Sequence, residues 1–301
     1  MAASSRLARL QQGLAAGLLV AALAWFAYWV GQRPLLAAFG AGAIACVHAV
    51  VLGLEFLFLL HVRRADPAPR AGAGQLLAAW GRETLQGLRV FGWRQPFRWR
   101  RWPDRLEAGG GRRGIVFVHG FVCNRGFWAP WLARARQLGH PYVAVNLEPV
   151  FGSIDDYAQS IDAAVRQLTA ASGRPPVLVC HSMGGLAARA WLRAAGRPER
   201  VAHVVTIATP HHGTALARFS RLPNGRQMRI GGEWLDDLSR AAGLPASRFT
   251  CWFSNCDNVV MPPSTATLAG ADNRFLPGAA HVDLAFRETV VEGTFALVRD
   301  L

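Results

Sequence analysis

One serine stands alone where an apolar strand pattern meets a helical pattern. The stretch PVLVCHSMGGLAARAWL runs from Pro176 to Leu192, and Ser182 lies near its centre. A serine hydroxyl acts as a nucleophile only with a base to take its proton and with donors for the oxyanion. A sharp strand-to-helix turn exposes the hydroxyl, and it requires small residues two positions before and after the serine. Cys180 and Gly184 occupy those positions, which predicts a variant of the G-x-S-x-G turn.

A second motif, FVHGF at 117–121, offers candidate oxyanion donors. It ends an apolar strand pattern, and Gly120 lets the chain turn close to Ser182. The backbone N–H groups of Phe121 and Met183 would then face the same point. Losing one such donor typically costs about 3 kcal/mol of activation free energy. The two motifs together predict an oxyanion hole.

A base and an acid are expected later in the chain. His281, in PGAAHVDLAF, is the candidate base, and Asp257, directly after the strand pattern FTCWFSNC, is the candidate acid. The order Ser, Asp, His is one of the orders that such triads take. Weaker candidates for these two roles are His119, His181, Asp236, Asp237, Asp272 and Asp283.

The elements that must position these side chains alternate between strands and helices from Gly114 onward. Five strands are predicted in GIVFVHG, PYVAVNLEP, PVLVC, VAHVVTIATP and FTCWFSNC, with a last strand or loop at Arg274–Leu276. Helices are predicted over Asn124–Leu138, after the N-cap candidate Ser153, and after Ser182. This alternation predicts an α/β fold with a mostly parallel sheet covered on both faces. The candidate residues should meet at the edge formed by the strand carboxyl ends.

The connection 210–249 between the fourth and fifth predicted strands is long, and long connections are usually functional. We expect a cap or lid over the serine. Its candidate acyl-pocket residues are Met228, Ile230, Trp234 and Leu235. Ordinary packing of a helical excursion is the alternative for each of them.

Five motifs occur together in VHGF, CHSMGGL, TIATPHHGTALA, SNCDNVVMPP and GAAHVDL. Their order and spacing resemble the α/β-hydrolase superfamily, and most closely its bacterial, triacylglycerol lipase-like branch of lipases and esterases. The resemblance covers residues 113–301. It implies an eight-stranded type of sheet, a Ser182–His281–Asp257 triad and an oxyanion hole of Phe121 and Met183. It also implies hydrolysis of carboxylic esters without a cofactor.

The sequence departs from this family at Cys180, where the turn usually has glycine, and in its apolar N-terminus. Some secreted lipases of this kind carry a structural calcium near the histidine loop. Asp283 with Asp237 would suit that role, although two acids are thin evidence for a calcium site. His211 and His212 form a candidate metal pair without an evident third ligand. We therefore predict no metal.

Two apolar runs predict a membrane hairpin. Leu10–Val30 has no charged residue, and Pro34–Leu60 has one, Glu55. Each run is long enough to cross a hydrocarbon core of roughly 30 Å as a helix. A signal peptide and two buried core helices are the alternatives, but the first run is long for a signal peptide and neither run has a polar face. A functional pair of His48 with Glu55 is a further alternative.

The basic residues lie where a membrane surface would attract them. The 301 residues carry a net charge of +14, and every basic residue is arginine. Twelve of these arginines lie between Arg63 and Arg113 among six Trp and Phe residues. After an apolar hairpin, this pattern predicts a segment that lies on an anionic membrane surface. Nucleic-acid binding is the alternative, but the neighbouring hairpin already accounts for the pattern.

Arginines also flank the hairpin unevenly. Arg6 and Arg9 precede it, Arg63 and Arg64 follow it, and Arg33 lies between the runs. The positive-inside rule then places both ends in the cytoplasm. Five cysteines form no clear disulfide framework, although Cys251 and Cys256 are close enough in sequence to pair, and this usage fits a reducing compartment.

We therefore expect a two-helix transmembrane hairpin at 1–64, a basic and aromatic segment at 65–112 that includes linkers at 66–75 and 107–114, and an α/β-hydrolase domain at 113–301 with its cap near 210–249. The expected location is the bacterial inner membrane, multi-pass, with the hydrolase domain in the cytoplasm. The expected function is cleavage of lipid-like carboxylic esters, with membrane lipids as partners and no nucleic acid. The alternatives are an acyltransferase on the same residues, a peptidase, a small-ester esterase, or a non-catalytic membrane-bound interaction module.

Overall fold

The computed structural model describes residues 5–107, 111–241 and 243–301, and its C-terminal part is built on a parallel sheet. The strands are β1 (Ile115–Val118), β2 (Tyr142–Ala144), β3 (Val177–His181), β4 (His203–Ile207), β5 (Phe249–Phe253) and β6 (Asp272–Phe275). Their order is β2-β1-β3-β4-β5-β6, and all five pairings are parallel. The carboxyl ends of the strands therefore share one edge, and the predicted α/β class is confirmed.

The expectation of an eight-stranded sheet is wrong for the described residues, because their sheet has six strands. Beyond β2 the sheet continues only as a single antiparallel bridge between Arg105 and Tyr142. The next N–H on that edge, that of Ala144, donates to the Asp104 carboxylate at 3.1 Å. A side chain thus satisfies the edge where a further strand would pair.

Helices cover both faces of the sheet and continue into the N-terminal half of the chain. They are α1 (Arg6–Trp29), α2 (Pro34–Ala45), α3 (Val47–Val62), α4 (Ala73–Gly87), α5 (Gln95–Phe97), α6 (Ala129–Gln137), α7 (Ala158–Ser172), α8 (Met183–Ala195), α9 (Pro223–Gln227), α10 (Glu233–Arg240), α11 (His281–Leu284) and α12 (Glu288–Asp300).

Two apolar clusters form the core, one on each face of the sheet. Alternate residues of β3 show the division, since Leu178 packs with α7 and α8 while Val177 and Val179 pack with α6 and α12. The predicted N-cap Ser153 is confirmed, because its side chain accepts the Asp155 N–H at 3.2 Å before the short turn that leads into α7.

The composition of the second apolar run predicted one straight helix. The structure instead has two helices, α2 and α3, with a bend of 60° between them at Cys46. After the bend, α3 packs along the C-terminal part of the chain, where Phe56 and Leu59 join an apolar cluster with Met261 and Ala280. In the described residues, α1 is long and apolar enough to cross a membrane, and α2 with α3 qualifies only as one bent span.

The segment between the apolar helices and β1 is folded onto the C-terminal part of the chain that contains the sheet. Of the expected linker at 66–75, the last residues already belong to α4. A π-helical turn at Leu88–Arg94 and α5 follow, and Val90 is fully buried there. The expected linker at 107–114 lies partly outside the described residues.

Candidate active site

The serine lies on a strained turn. Ser182 connects β3 to α8 with φ 54° and ψ −130°, a conformation that costs free energy for a residue with a side chain. Its N–H donates to the Ile207 carbonyl at 2.9 Å, and its own carbonyl accepts the Thr209 hydroxyl at 2.9 Å. Neighbouring β4 therefore holds the turn that lifts the hydroxyl from the sheet edge.

Small residues surround this turn, as predicted. A Cβ atom on Gly120 would lie 2.8 Å from the Ser182 Cβ, and one on Gly184 would collide with the backbone of Val118. Cys180 is fully buried in the sheet, and burial raises the pKa of its thiol. Cys180 is therefore a small, protonated core side chain at a position where this turn usually has glycine.

The structure brings the three predicted triad residues together. The His281 Nε2 atom is 2.9 Å from the Ser182 Oγ, and the His281 Nδ1 atom is 3.0 and 3.1 Å from the two Asp257 oxygens. Asp257 follows β5, and its Oδ1 also accepts the N–H groups of Val259 and Val260 at 2.9 and 2.7 Å. These bonds fix the carboxylate toward the ring.

Electrostatics at His281 favour its protonated form. Burial alone would lower the pKa of His281, but the charge of Asp257 and the hydrogen bond to it raise the pKa above its ordinary value of 6.5. Because Asp257 is an acceptor, the Nδ1 atom of His281 carries the proton, which leaves Nε2 free to accept the Ser182 hydroxyl proton. The arrangement can activate the serine.

The other histidines near the serine have structural partners. The His181 ring stacks on Phe127 with ring centres 4.4 Å apart, and its Nε2 donates to the His281 carbonyl at 3.2 Å. His119 donates from Nδ1 to the Gly120 carbonyl at 2.9 Å and accepts the Leu147 N–H at Nε2. Burial lowers the pKa of both rings, that of His119 to about 4, so both stay neutral.

The metal and disulfide alternatives find no support in the described residues. No group of three or more His, Cys, Asp or Glu side chains there is placed to hold a metal ion. His211 contacts Thr206 at 3.1 Å, Asp283 pairs with Arg287 at 2.8 Å, and exposed Asp237 pairs with Arg240. Cys251 and Cys256 are both free thiols.

A cavity of about 470 Å³ lies over Ser182 and His281, and its lining is mainly apolar. Of the predicted acyl-pocket residues in the cap, Met228 lines it. The other three predictions are wrong, because Ile230 is half exposed, Trp234 donates to Asp155 at 2.8 Å and Leu235 packs in the core.

Sequence reasoning missed the opposite wall of this cavity. It comes from the N-terminal region, from His48, Val51, Leu52 and Glu55 on α3 and from Glu83 on α4. The spacing of the α3 residues was a usable signal, since positions 48, 51, 52 and 55 share one helical face. Glu55 bonds Asn258 at 2.6 Å instead of pairing with His48, so the predicted alternative of a functional His48–Glu55 pair gains no support.

The predicted oxyanion donors occupy suitable places. Phe121 directly follows Gly120 and lines the cavity. Met183 is the first residue of α8, so its N–H has no acceptor within the helix. Their role as donors to an oxyanion stays a prediction.

Known proteins with related sequences and structures support the fold. A model of the alpha/beta hydrolase family matches residues 115–294. A triacylglycerol lipase of Pseudarthrobacter phenanthrenivorans is 48% identical over 118 residues, which are 36% of this chain and 36% of the lipase. The rice protein named "Probable esterase PIR7A" (Oryza sativa subsp. indica) is 31% identical over 131 residues, 38% of this chain and 48% of that protein. The chain thus spans half or less of the length of these relatives.

A solved structure agrees with this assignment. The mature Bacillus licheniformis lipase BlEst2 superposes with a TM-score of 0.57 and 18% identity, covering 64% of this chain and 94% of that chain. At this identity the likeness concerns the fold. Since the family model matches more than half of the residues, the chain belongs to the alpha/beta hydrolase family.

Proposed function

We propose that this protein is a membrane-anchored serine hydrolase that cleaves carboxylic esters of lipid-like substrates. The observation that carries the proposal is the hydrogen-bonded series Ser182–His281–Asp257 on the floor of an apolar cavity. The lipase and esterase names of its relatives support the same reaction class.

In the proposed mechanism, His281 Nε2 takes the Ser182 hydroxyl proton while Oγ attacks the ester carbonyl carbon. The N–H groups of Phe121 and Met183 stabilise the resulting oxyanion, and Asp257 stabilises the imidazolium form of His281. The imidazolium then gives its proton to the leaving alcohol, and an acyl-enzyme remains on Ser182. Water, deprotonated by His281, attacks the acyl carbon. The bond from that carbon to Ser182 Oγ then breaks, Oγ takes the proton back from His281, and the carboxylic acid leaves.

The cavity supports a substrate with an apolar acyl group. Apolar side chains from three regions of the chain line it, among them Leu52, Leu216 and Met228. Such a lining stabilises hydrocarbon by removing it from water, at about 0.8 kcal/mol per buried CH₂ group. A longer acyl chain should therefore bind more tightly until the cavity is filled.

The surface of the N-terminal helices supports membrane anchoring. Nineteen of the thirty large apolar side chains exposed in the described residues lie between Leu10 and Leu60. Water would not favour an apolar surface of this extent, whereas lipid would cover it. The arginines after α3, several stacked on Trp rings such as Arg100 on Trp99, suit the anionic surface at the end of such an anchor.

Hydrolysis of p-nitrophenyl esters of increasing acyl length tests this function. We expect the wild type in detergent micelles to prefer longer acyl chains and to react with a fluorophosphonate at Ser182. Ser182→Ala should lose at least about 10³-fold in kcat, because the nucleophile is removed. Wild-type activity in Ser182→Ala would contradict the assignment of the nucleophile. Ester formation with an added alcohol, in place of hydrolysis, would indicate the acyltransferase instead.

A further inference from the structure

We propose that Glu83, which lies outside the region matched by the family model, is a positioning residue that holds the His281 loop from the N-terminal region. The inference rests on the proposed function. Helix α4 would then help to position His281, although this helix precedes every strand of the sheet.

The contacts of Glu83 carry the inference. Its carboxylate is 2% exposed and accepts backbone N–H groups from the two residues that follow His281. The Val282 N–H lies 2.9 and 3.1 Å from the two carboxylate oxygens, and the Asp283 N–H lies 2.8 Å from one of them. Bonds from N–H groups to a carboxylate are stronger than those to a neutral acceptor, so they restrain the backbone beside His281.

A second side chain of α4 holds the same loop from its other end. Arg82 donates to the Gly278 carbonyl at 2.7 Å and pairs with Asp283 at 3.5 Å. Consecutive residues of one helix therefore contact the chain both before and after His281.

Helix α3 adds a restraint on His281 itself. The Glu55 carboxylate accepts the Asn258 side-chain amide at 2.6 Å, and the Asn258 oxygen accepts the His281 N–H at 3.2 Å. The backbone N–H groups of His281, Val282 and Asp283 are thus all held, directly or through Asn258, by carboxylates of the N-terminal region. A loop that serves only packing would not require the buried Glu83 carboxylate, because burying a charge is costly.

Glu83 also contributes charge at the site. Burial raises the pKa of Glu83 to about 7, and its negative charge helps to raise the pKa of His281. The other charged or titratable groups around it are Asp257, Asp283 with its partners Arg82 and Arg287, and Glu55 and His48 on α3. Removing the Glu83 charge should therefore lower the pKa of His281.

The test compares Glu83→Gln with the full-length wild type in detergent, using a p-nitrophenyl ester that the wild type cleaves. We expect kcat to fall by about 10²-fold, with a smaller change in KM, because a displaced His281 impairs proton transfer more than binding. The acidic limb of kcat/KM should move to lower pH, since the Glu83 charge that helps to raise the pKa of His281 is lost. A purely structural role would not move this limb.

Two further variants make the test decisive. Glu107→Gln makes the same change at an exposed residue and should behave as the wild type. Glu83→Asp keeps the charge but shortens the reach, so it should keep the limb while lowering kcat. Wild-type kcat and an unmoved limb in folded Glu83→Gln would overturn the inference. If Glu83→Gln does not fold, wild-type kcat in Glu83→Asp would overturn it.

The outcome also separates this inference from the proposed function. A wild type that neither cleaves esters nor reacts with a fluorophosphonate at Ser182 would overturn both. An active wild type whose Glu83 variants match Glu107→Gln would overturn only the role of Glu83.

Discussion

In the proposed mechanism, the contact between His281 and Asp257 sets the pH range in which Ser182 can be activated. His281 accepts a proton only when it is neutral, and Asp257 raises its pKa above 6.5. The wild-type kcat/KM should therefore rise with pH through a midpoint above 6.5, and activity should be lost as the pH falls below it.

Asp257→Asn should change both the rate and this pH dependence. Without the carboxylate, His281 loses the partner that fixes its tautomer, and kcat should fall by about 10⁴-fold. Because the charge that raises the pKa of His281 is gone, the acidic limb of kcat/KM should also move to lower pH. The measurement is the pH profile of kcat/KM, with Asp237→Asn, an exposed acid paired with Arg240, as the control. An unchanged midpoint in Asp257→Asn would contradict the role assigned to Asp257.

The residues that sequence could and could not predict differ in the kind of partner they have. Ser182, Asp257 and His281 each follow or precede a recognisable strand, so topology alone placed them at one edge. Glu83 accepts backbone N–H groups 199 and 200 positions away in the chain, and a backbone N–H is the same for almost every residue type, so the sequence carries no signal of this contact. Three of the four acyl-pocket candidates in the cap failed for a related reason. An apolar side chain in a long connection can enter the cavity or the core, and Leu235 enters the core.

At the scale of elements, the turn after β3 depends on the close approach of β1 to α8. A methyl group at Gly184 would contact the backbone carbonyls of Val118 and His119, which cannot move without shifting β1. Gly184→Ala should therefore lower the free energy of unfolding by about 1–3 kcal/mol and displace the N–H of Met183.

Thermal unfolding in detergent, together with ester hydrolysis, measures this effect. Gly81→Ala is the matched control, because nothing lies within 4 Å of a Cβ atom there and the residue is inside α4. Alanine in that position should stabilise the helix by up to about 1 kcal/mol. Equal melting temperatures for Gly184→Ala and the wild type would contradict the clash expected between a methyl group at this position and the backbone after β1.

Other element-level predictions failed where side chains compete with regular structure. The alternation of patterns predicted the strands, but the number of strands came from the family resemblance. It was wrong for the described residues, whose sheet ends at β6 on one side and at β2 on the other, where Asp104 accepts the Ala144 N–H. Composition could not predict the bend at Cys46, because an apolar run has the same composition whether α2 and α3 form one helix or two. What decides it is the packing of Phe56 and Leu59 on the hydrolase domain.

At the scale of the whole molecule, the proposed anchor and the active site share elements. Helix α3 carries exposed apolar residues on one side and lines the cavity over Ser182 with Val51 and Leu52. An acyl chain in that cavity would touch the same helix that lipid would cover. Helix α3 would then contact both the surrounding lipid and the acyl chain of a bound ester.

Replacing two lipid-facing candidates of α1 tests the anchor. Leu19 and Leu23 are 61% and 59% exposed, so Leu19→Arg with Leu23→Arg should leave the hydrolase fold and its short-ester activity intact. Each arginine near the centre of a spanning helix costs about 2.5–3.5 kcal/mol on insertion. The double variant should therefore move from the membrane fraction toward the soluble or aggregated fraction after alkaline carbonate extraction.

The control for this experiment introduces arginine at an exposed apolar residue outside the N-terminal helices. Ile230→Arg, at a position 50% exposed in the cap, should stay with the membrane as the wild type does. If the wild type itself is extracted by carbonate, α1 does not span a bilayer and its apolar surface must be covered in another way. If only the α1 double variant is extracted while it still cleaves short esters, the anchor and the chemistry are separable, and α1 holds the enzyme at the lipid.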